Sequence, residues 1–462
     1  MYYKMKNLFF LISLSLILTA CSGSKSYIKP YSANPFYWQY KGEPVLLLGA
    51  TDYDNLFQCN YLESHLDSLV SHGGNYVRNV MSDRGIYQQK AFAMNDDGLY
   101  DLDRWNDEYW ERFENTLKLS RERDIIVQIE LWNRRDHSRD EWLYNPYHPK
   151  NNINYTYAES GLDSLYPLHP GANVQPFFFT VPELDNNETL LKYQNAFVSK
   201  LLSISLNYGN VLYCISNESG AAEEWATYWA EFIKSHAGNR EVYITEMWNS
   251  SNMESEEQRR TFDHPDRYNY IDISQSAHHV GYSNWSSFRT VFDYIKDNPR
   301  PINCVKIYGR DSYDWMNAGM SSTTGRETFF RNIIGGFASS RFHRPPYGLG
   351  MDRSTLNSIR TIRKIEEIVK MWDIEPRMDL LQNYKENLAY LAAKEGESYL
   401  VYFTGKGKVK LDLRGSDDTF EIRWIDIENV EWERNDQVRG GQLLELESIH
   451  NYSNLAVLKK IR

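Results

Sequence analysis

Cysteine is scarce in this chain, with four residues in 462. Once Cys21 near the start is set aside, Cys59, Cys214 and Cys304 remain, and an odd number excludes a complete disulfide framework. Cys214 and Cys304 each sit in an apolar run, where a free thiol behaves as a small buried hydrophobe. No CxxC occurs, and His278 and His279 are adjacent, so on a strand they would point to opposite faces. Neither a metal site nor an organic cofactor is implied. Basic charge is also short: 51 Lys and Arg against 62 Asp and Glu give a net charge of −11. Nucleic acid is excluded as a partner, because binding phosphates needs a basic surface. Beyond the N-terminal leader no apolar run is long enough to span a bilayer. Internal repeats, low-complexity tracts, an HExxH motif and a nucleophile elbow are all absent, which leaves a peptidase without support.

The leader has a pattern of its own. Lys4 and Lys6 form a positive start, and Leu8 to Leu18 form an apolar core too short for a comfortable transmembrane helix. It ends in Leu18-Thr19-Ala20-Cys21, which resembles the bacterial lipobox. That resemblance implies a signal peptide over residues 1–20 and acylation of Cys21, which would anchor the chain to a membrane. Ser22, in place of Asp, points to the outer membrane, facing either the periplasm or the cell surface. Residues 21–30 then read as a polar tether.

Aromatic residues make up 15% of the chain, with 34 Tyr and 13 Trp. They suit both core packing and the stacking of sugar rings. From about residue 44 to 372, short apolar runs alternate with amphipathic helical stretches, the pattern of βα units around a parallel sheet. The expected strands are Val45–Ala50, Tyr76–Met81, Ile125–Leu131, Val211–Ser216, Val242–Glu246, Ile271–Gln275, Ile302–Tyr308 and Gly335–Ser339. Expected helices include Tyr61–His72, Asp107–Arg123, Glu188–Asn207, Glu223–His236, Asn284–Asp297 and Glu327–Ile334, with a closing helix from about Ser354 to Met371. Eight such units make a (β/α)8 TIM barrel, assigned to residues 31–375. The long loop at 133–187 would lie over its C-terminal face, where barrel active sites sit. After Pro376 the runs Leu388–Ala392, Tyr399–Phe403, Val409–Leu413, Phe420–Ile425, Gln442–Leu446 and Leu455–Lys459 alternate with turns. This spacing predicts a small antiparallel β-sandwich over 376–462.

The strongest local signal is Val211-Leu212-Tyr213-Cys214-Ile215-Ser216-Asn217-Glu218-Ser219, an apolar strand running into Asn-Glu. A carboxyl group at this strand tip, partly desolvated, would have a raised pKa and could protonate a glycosidic oxygen, with Asn217 bonding a sugar hydroxyl. This resembles a large clan of TIM-barrel glycoside hydrolases whose acid/base is the Glu of a strand-four Asn-Glu pair. Arg78, in Asn75-Tyr76-Val77-Arg78-Asn79, matches an Arg that the clan often carries at the end of strand two. It reads equally as an orienting group for an active-site carboxylate or as a structural ion pair. The opening Phe36-Tyr37-Trp38-Gln39-Tyr40-Lys41-Gly42-Glu43-Pro44-Val45 through Gly49-Ala50-Thr51-Asp52 resembles a family of proteins classed as glycoside hydrolases that includes apiosidases. Tyr399–Phe403, Lys408–Leu413 and Arg423–Asp426 resemble the small sandwich of that family, once labelled a collagen-binding domain.

One departure stands out. Retaining members of the clan carry a nucleophilic Glu at the tip of strand seven, and here Ile302-Asn303-Cys304-Val305-Lys306-Ile307-Tyr308-Gly309-Arg310-Asp311 contains none. Lys306, Tyr308 and Asp311 occupy that neighbourhood. Glu246 ranks first as the second catalytic carboxylate, ahead of Glu130 and Asp52, which read more readily as substrate-binding. Trp132, Trp248, His278, His279 and Tyr308 are expected around the pocket. The expected activity is hydrolysis of a poly- or oligosaccharide at the cell envelope with Glu218 as general acid. The alternative is a glycan-binding lipoprotein on a barrel that lost its nucleophile.

Overall fold

The computed structural model describes residues 27–461 apart from 84, 86, 87, 169, 171–174, 310, 312–318 and 384. Cys21 and the leader lie outside the described residues. Eight parallel strands form the barrel wall: β1 (Leu47–Ala50), β2 (Tyr76–Val80), β3 (Ile126–Asn133), β4 (Val211–Asn217), β5 (Ile244–Thr245), β6 (Ile271–Asp272), β7 (Ile302–Asn303) and β8 (Ser339–Phe342). Each is followed by a helix: α1 (Leu62–Ser71), α2 (Asp107–Glu122), α3 (Glu188–Ser205), α4 (Glu223–Ala237), α5 (Glu256–Phe262), α6 (Gly281–Tyr294), α7 (Ser322–Ile334) and α8 (Arg353–Glu366). This is a (β/α)8 barrel.

The wall is continuous from β5 through β4, β3, β2 and β1 to β8, and β6 pairs with β7. Backbone bonds from Ala338 N to Ile302 O and from Ile307 N to Arg341 O join β7 to β8. Between β5 and β6, side chains take the place of the ladder. Ile244 N donates to Asn269 Oδ1 at 2.7 Å, and Asp272 N donates to Thr245 Oγ1 at 3.2 Å.

The eighth strand differs from the expected Gly335–Ser339. Gly335 and Gly336 form the turn out of α7, with Gly336 at φ +94°, and the strand begins at Ser339. Its residues Ser339, Ser340 and Arg341 are all buried, so this strand has no apolar signature. Arg341 donates to Val305 O at 2.6 Å and to Thr51 Oγ1.

The barrel interior has two layers. Its lower layer is apolar, built from Leu47, Tyr76, Ile126, Leu212 and Val305. A hairpin of strands Trp38–Tyr40 and Glu43–Val45 closes the bottom, with Trp38 Nε1 donating to Asn303 Oδ1 at 3.0 Å. The upper layer is charged, which reserves the C-terminal mouth for chemistry rather than packing.

An antiparallel β-sandwich follows: β9 (Glu375–Pro376), β10 (Leu381–Asn383), β11 (Ala389–Lys394), β12 (Ser398–Phe403), β13 (Lys408–Asp412), β14 (Thr419–Asp426), β15 (Glu431–Arg439), β16 (Leu443–Glu447) and β17 (Asn454–Lys460). One sheet runs β9-β11-β12-β17-β14-β15, and the other runs β10-β13-β16. Strand β15 was not expected. It is an edge strand with no fully buried residue and a charged and polar sequence, so it lacks the apolar alternation that marks a half-buried strand.

Period-two alternation divides β11 and β12 between two cores. Leu391, Tyr399, Val401 and Phe403 face the sandwich core, whereas Tyr390, Leu400 and Tyr402 join the core of the barrel. Tyr402 stacks on Phe330 of α7 with ring centroids 5.1 Å apart. Lys364 of α8 donates to Val430 O at 2.8 Å, and Asn357 donates to Glu428 O at 2.6 Å.

Leu400 is fully buried at this seam, so Leu400→Ala should cost roughly 2–5 kcal/mol. Calorimetry should show one lowered transition for barrel and sandwich together; a barrel transition left unshifted would contradict the shared core.

Candidate active site

The C-terminal ends of all eight strands contribute to a cavity of about 300 Å³ at the mouth of the barrel. Glu218 stands at its centre, immediately after β4. Its φ is +52°, a conformation that residues with a side chain rarely adopt. The turn is held in place by Ser219, whose N donates to Met247 O at 2.7 Å and whose O accepts from Asn249 N at 2.9 Å.

The carboxylate meets two donors from the segment after β7. Lys306 Nζ lies 2.6 Å and Tyr308 Oη 2.7 Å from Glu218 Oε1. Lys306 is buried to 1% side-chain exposure, whereas Glu218 keeps 36%, opening onto the cavity. Lys306 also donates to Asn217 Oδ1, and Asn217 Nδ2 donates to Asn133 Oδ1 at 3.2 Å. His278 stacks on Tyr308 with ring centroids 4.5 Å apart, and His343 meets the same ring edge-on at 5.1 Å.

A second charged group sits beside the first. Arg78 forks onto Glu130, Nε to Oε1 at 2.5 Å and Nη2 to Oε2 at 2.6 Å. Its Nη1 donates to Asp54, whose other oxygen accepts from Arg344 Nε at 2.5 Å. Desolvation works against the Arg78 charge, but Glu130 and Asp54 outweigh it and secure the cation. Arg78 is thus a structural ion pair, and it also lines the cavity.

Electrostatics reverse one expectation. Burial alone would raise the Glu218 pKa, but the Lys306 ammonium and the hydrogen bonds from Lys306 and Tyr308 hold it well below the usual carboxylate range. The resting group is an ionised carboxylate, suited to accept a proton or to attack. It is not the protonated acid that a desolvated strand-tip Glu would be. Glu246 shows the opposite case: fully buried, its carboxyl is pushed well above the usual range by desolvation.

Of the residues expected at the site, Glu218, Asn217, Arg78, His278 and Tyr308 line the cavity together. Glu130 lies beneath it, spent on Arg78. Glu246 is not on the cavity wall. Trp132 and Trp248 are corrections to the expected pocket walls, because both are buried in helix packing. Trp132 sits among Phe197, Trp225 and Trp229, and Trp248 donates to Thr261 Oγ1 at 2.6 Å beneath Arg260. His279 is likewise off the wall, with Nε2 3.0 Å from Ser251 O. Asp52 and Asp311 lie in a separate groove of about 680 Å³ between the barrel rim and Glu428 of the sandwich. There Asp52 accepts from Met351 N at 2.9 Å, and Asp311 accepts from Ser322 N at 3.0 Å.

Sequence reasoning passed over Asp54, Arg134, Arg135, His343, Arg344 and Tyr347, all of which line the cavity. A signal existed for most of them. Arg134 and Arg135 directly follow β3, and His343 and Arg344 directly follow the correctly placed β8.

Compared by sequence, the chain matches no protein-family model and no curated protein. Compared by structure, it is similar to a glycoside hydrolase family 5 protein from Bacteroides vulgatus, with a TM-score of 0.64 at 13% identity over 94% of each chain. It is equally similar to a second structure described as a glycoside hydrolase, with a TM-score of 0.64 at 10% identity over 94% of this chain and 97% of that one. The likeness spans barrel and sandwich and shows a shared fold.

Burial holds His343 neutral, with its pKa well below the ordinary 6.5. As pH falls below 6.5 the unfolded chain takes up a proton that the folded chain refuses, so stability drops. A melting series from neutral to mildly acidic pH should show this decline, to which His137 and His278 also contribute, and His343→Asn should make it shallower. An unchanged slope in the variant would place His343 outside the titrating set.

Proposed function

We propose that this protein hydrolyses a glycosidic bond of a poly- or oligosaccharide in the cavity around Glu218. The observation that supports this best is the ionised Glu218 carboxylate itself. It stands on a conformationally unusual strand tip, gripped by Lys306 and Tyr308, and opens into the mouth of a barrel whose fold is shared with glycoside hydrolases. A carboxylate in this state can deprotonate an attacking water or attack a sugar carbon directly. We therefore assign Glu218 the ionised role in the first chemical step and not that of resting acid. Asp54, across Arg78 from Glu218, is the other carboxylate that lines the cavity among the described residues. It takes precedence over Glu246 as the partner of a two-carboxylate site. Asn217 and His278 are assigned to sugar hydroxyls, and Tyr308 to holding the reacting carboxylate.

The leader supports a further assignment, an outer-membrane lipoprotein anchored through an acylated Cys21. The opening hairpin and the sandwich segments support placing the chain near the family that includes apiosidases.

A second reading is favoured by Lys306. An ammonium stands on the strand where retaining clan members carry a nucleophilic Glu, which suits a barrel that binds glycans without cutting them.

The two readings separate when purified protein is incubated with a panel of glycans and both binding and new reducing ends are followed. Glu218→Gln should lower kcat on a responsive glycan by on the order of 10²–10⁴ while leaving KM within a few-fold. Cleavage that survives Glu218→Gln would contradict the hydrolytic assignment, and binding without cleavage across the panel would favour the second reading.

A further inference from the structure

The cavity wall carries a charge pattern that the proposed reaction does not use. Its cationic groups are Arg78, Arg134, Arg135, Lys306 and Arg344. The carboxylates on the same wall are Asp54 and Glu218. Other acids that face these cations sit away from the wall: Glu130 beneath Arg78, Glu141 at 3.2 Å from Arg135, and Glu246 and Glu257 toward Arg134. Among the described residues the wall itself therefore carries more cationic groups than carboxylates, in a protein whose overall charge is −11. Arg78, Arg135, Lys306 and Arg344 each meet a carboxylate of the protein, which offsets the cost of gathering them, and all four still line the cavity.

Two of these guanidiniums bracket one aromatic ring. Arg344 lies over the Tyr347 ring with its carbon 5.2 Å from the centroid, and Arg135 interacts with the Tyr347 hydroxyl. Arg344 spends Nε on Asp54 and Nη1 on Pro345 O at 2.7 Å, and its Nη2 meets no acceptor among the described residues. A planar guanidinium with unspent donors beside a second guanidinium is the geometry that recognises carboxylate or sulfate oxygens. Stacking surface on the wall is modest in comparison. The two tryptophans expected there, Trp132 and Trp248, are buried elsewhere, which among the described residues leaves Tyr308 and Tyr347 as the larger rings.

Resting on the carbohydrate reading above, we infer that the saccharide is anionic, with a carboxylate or sulfate group seated against Arg135 and Arg344 beside Tyr347. The rest of the sugar then extends toward Glu218. The general negative charge of the protein gives no long-range attraction for such a ligand, so the preference arises within the cavity and is weakly screened by salt.

The test is calorimetric titration of the purified full chain with two anionic probes and their neutralised counterparts. The probes are oligogalacturonides against the same chains after reduction of their carboxyl groups, and carrageenan oligosaccharides against the desulfated forms. One anionic probe should bind about tenfold or more tightly than its counterpart, and which one does so separates carboxylate from sulfate. Arg344→Met, and independently Arg135→Met, should erase most of that preference, with circular dichroism establishing that each variant is folded. Equal or tighter binding of the neutralised forms, or no binding of either anionic probe, would overturn the inference. Reducing-end release is recorded on the same samples. Tight anionic binding without cleavage leaves this inference standing and counts against hydrolysis, whereas cleavage of neutral glycans alone does the reverse.

Discussion

A lysine ammonium buried to 1% exposure requires an anion, and the arrangement of this site follows from that requirement. Lys306 finds Glu218 at 2.6 Å, and the cost of removing both charges from water is offset only because the bond is short and Asn217 and Tyr308 add further contacts. The pairing joins the tip of β4 to the segment after β7, across the mouth of the barrel. It also accounts for the backbone at Glu218, where φ of +52° aims the carboxylate inward toward the ammonium. Arg78 repeats the principle beside it by joining β2 to Glu130 on β3 and to Asp54 after β1. The upper layer of the barrel is thus a set of ion pairs. The lower layer, with its Trp38 plug, is ordinary apolar packing.

This division of labour leaves the reactive end polar and pre-organised. Each charged side chain is oriented by a partner on a neighbouring strand, which is how an active site keeps its geometry without apolar filling. The sandwich contributes from outside. It buries Leu400 and Tyr402 against the barrel core, and its Glu428 reaches a groove at the rim. The helices that carry this seam, α7 and α8, flank β8, so the sandwich supports the strand whose end supplies His343 and Arg344.

Much of the architecture was legible because its signals are local. Strands β3 and β4 are buried on both faces; the apolar run Val211–Ile215 of β4 is continuous in the sequence, and that of β3 is broken only by Gln128 and Glu130. The position of Glu218 followed from its strand. Its ionisation did not, because Lys306 lies 88 residues away and meets it only once the barrel closes. Strand β8 was placed too early for a related reason. Ser339 and Arg341 bond to Cys304, Val305 and Thr51, while Ser340 turns outward to Phe329 O of α7. Burial of this polar run leaves no apolar trace, and with the strand misplaced His343 and Arg344 went unnoticed. Trp132 and Trp248 were correctly placed near strand ends. Whether such a ring turns into the mouth or back onto the helices depends on α3, α4 and α5 packing behind it, which pattern reading does not resolve.

The central claim is that Glu218 rests as a carboxylate clamped by Lys306. Carboxyl-carbon NMR of the selectively labelled protein across an acid titration tests it directly. Glu218 should remain ionised well below pH 4.5, the ordinary value for a glutamate, and Lys306→Met should move its titration sharply upward. A Glu218 that titrates at or above 4.5 in the intact protein, or one that does not respond to Lys306→Met, would contradict the account.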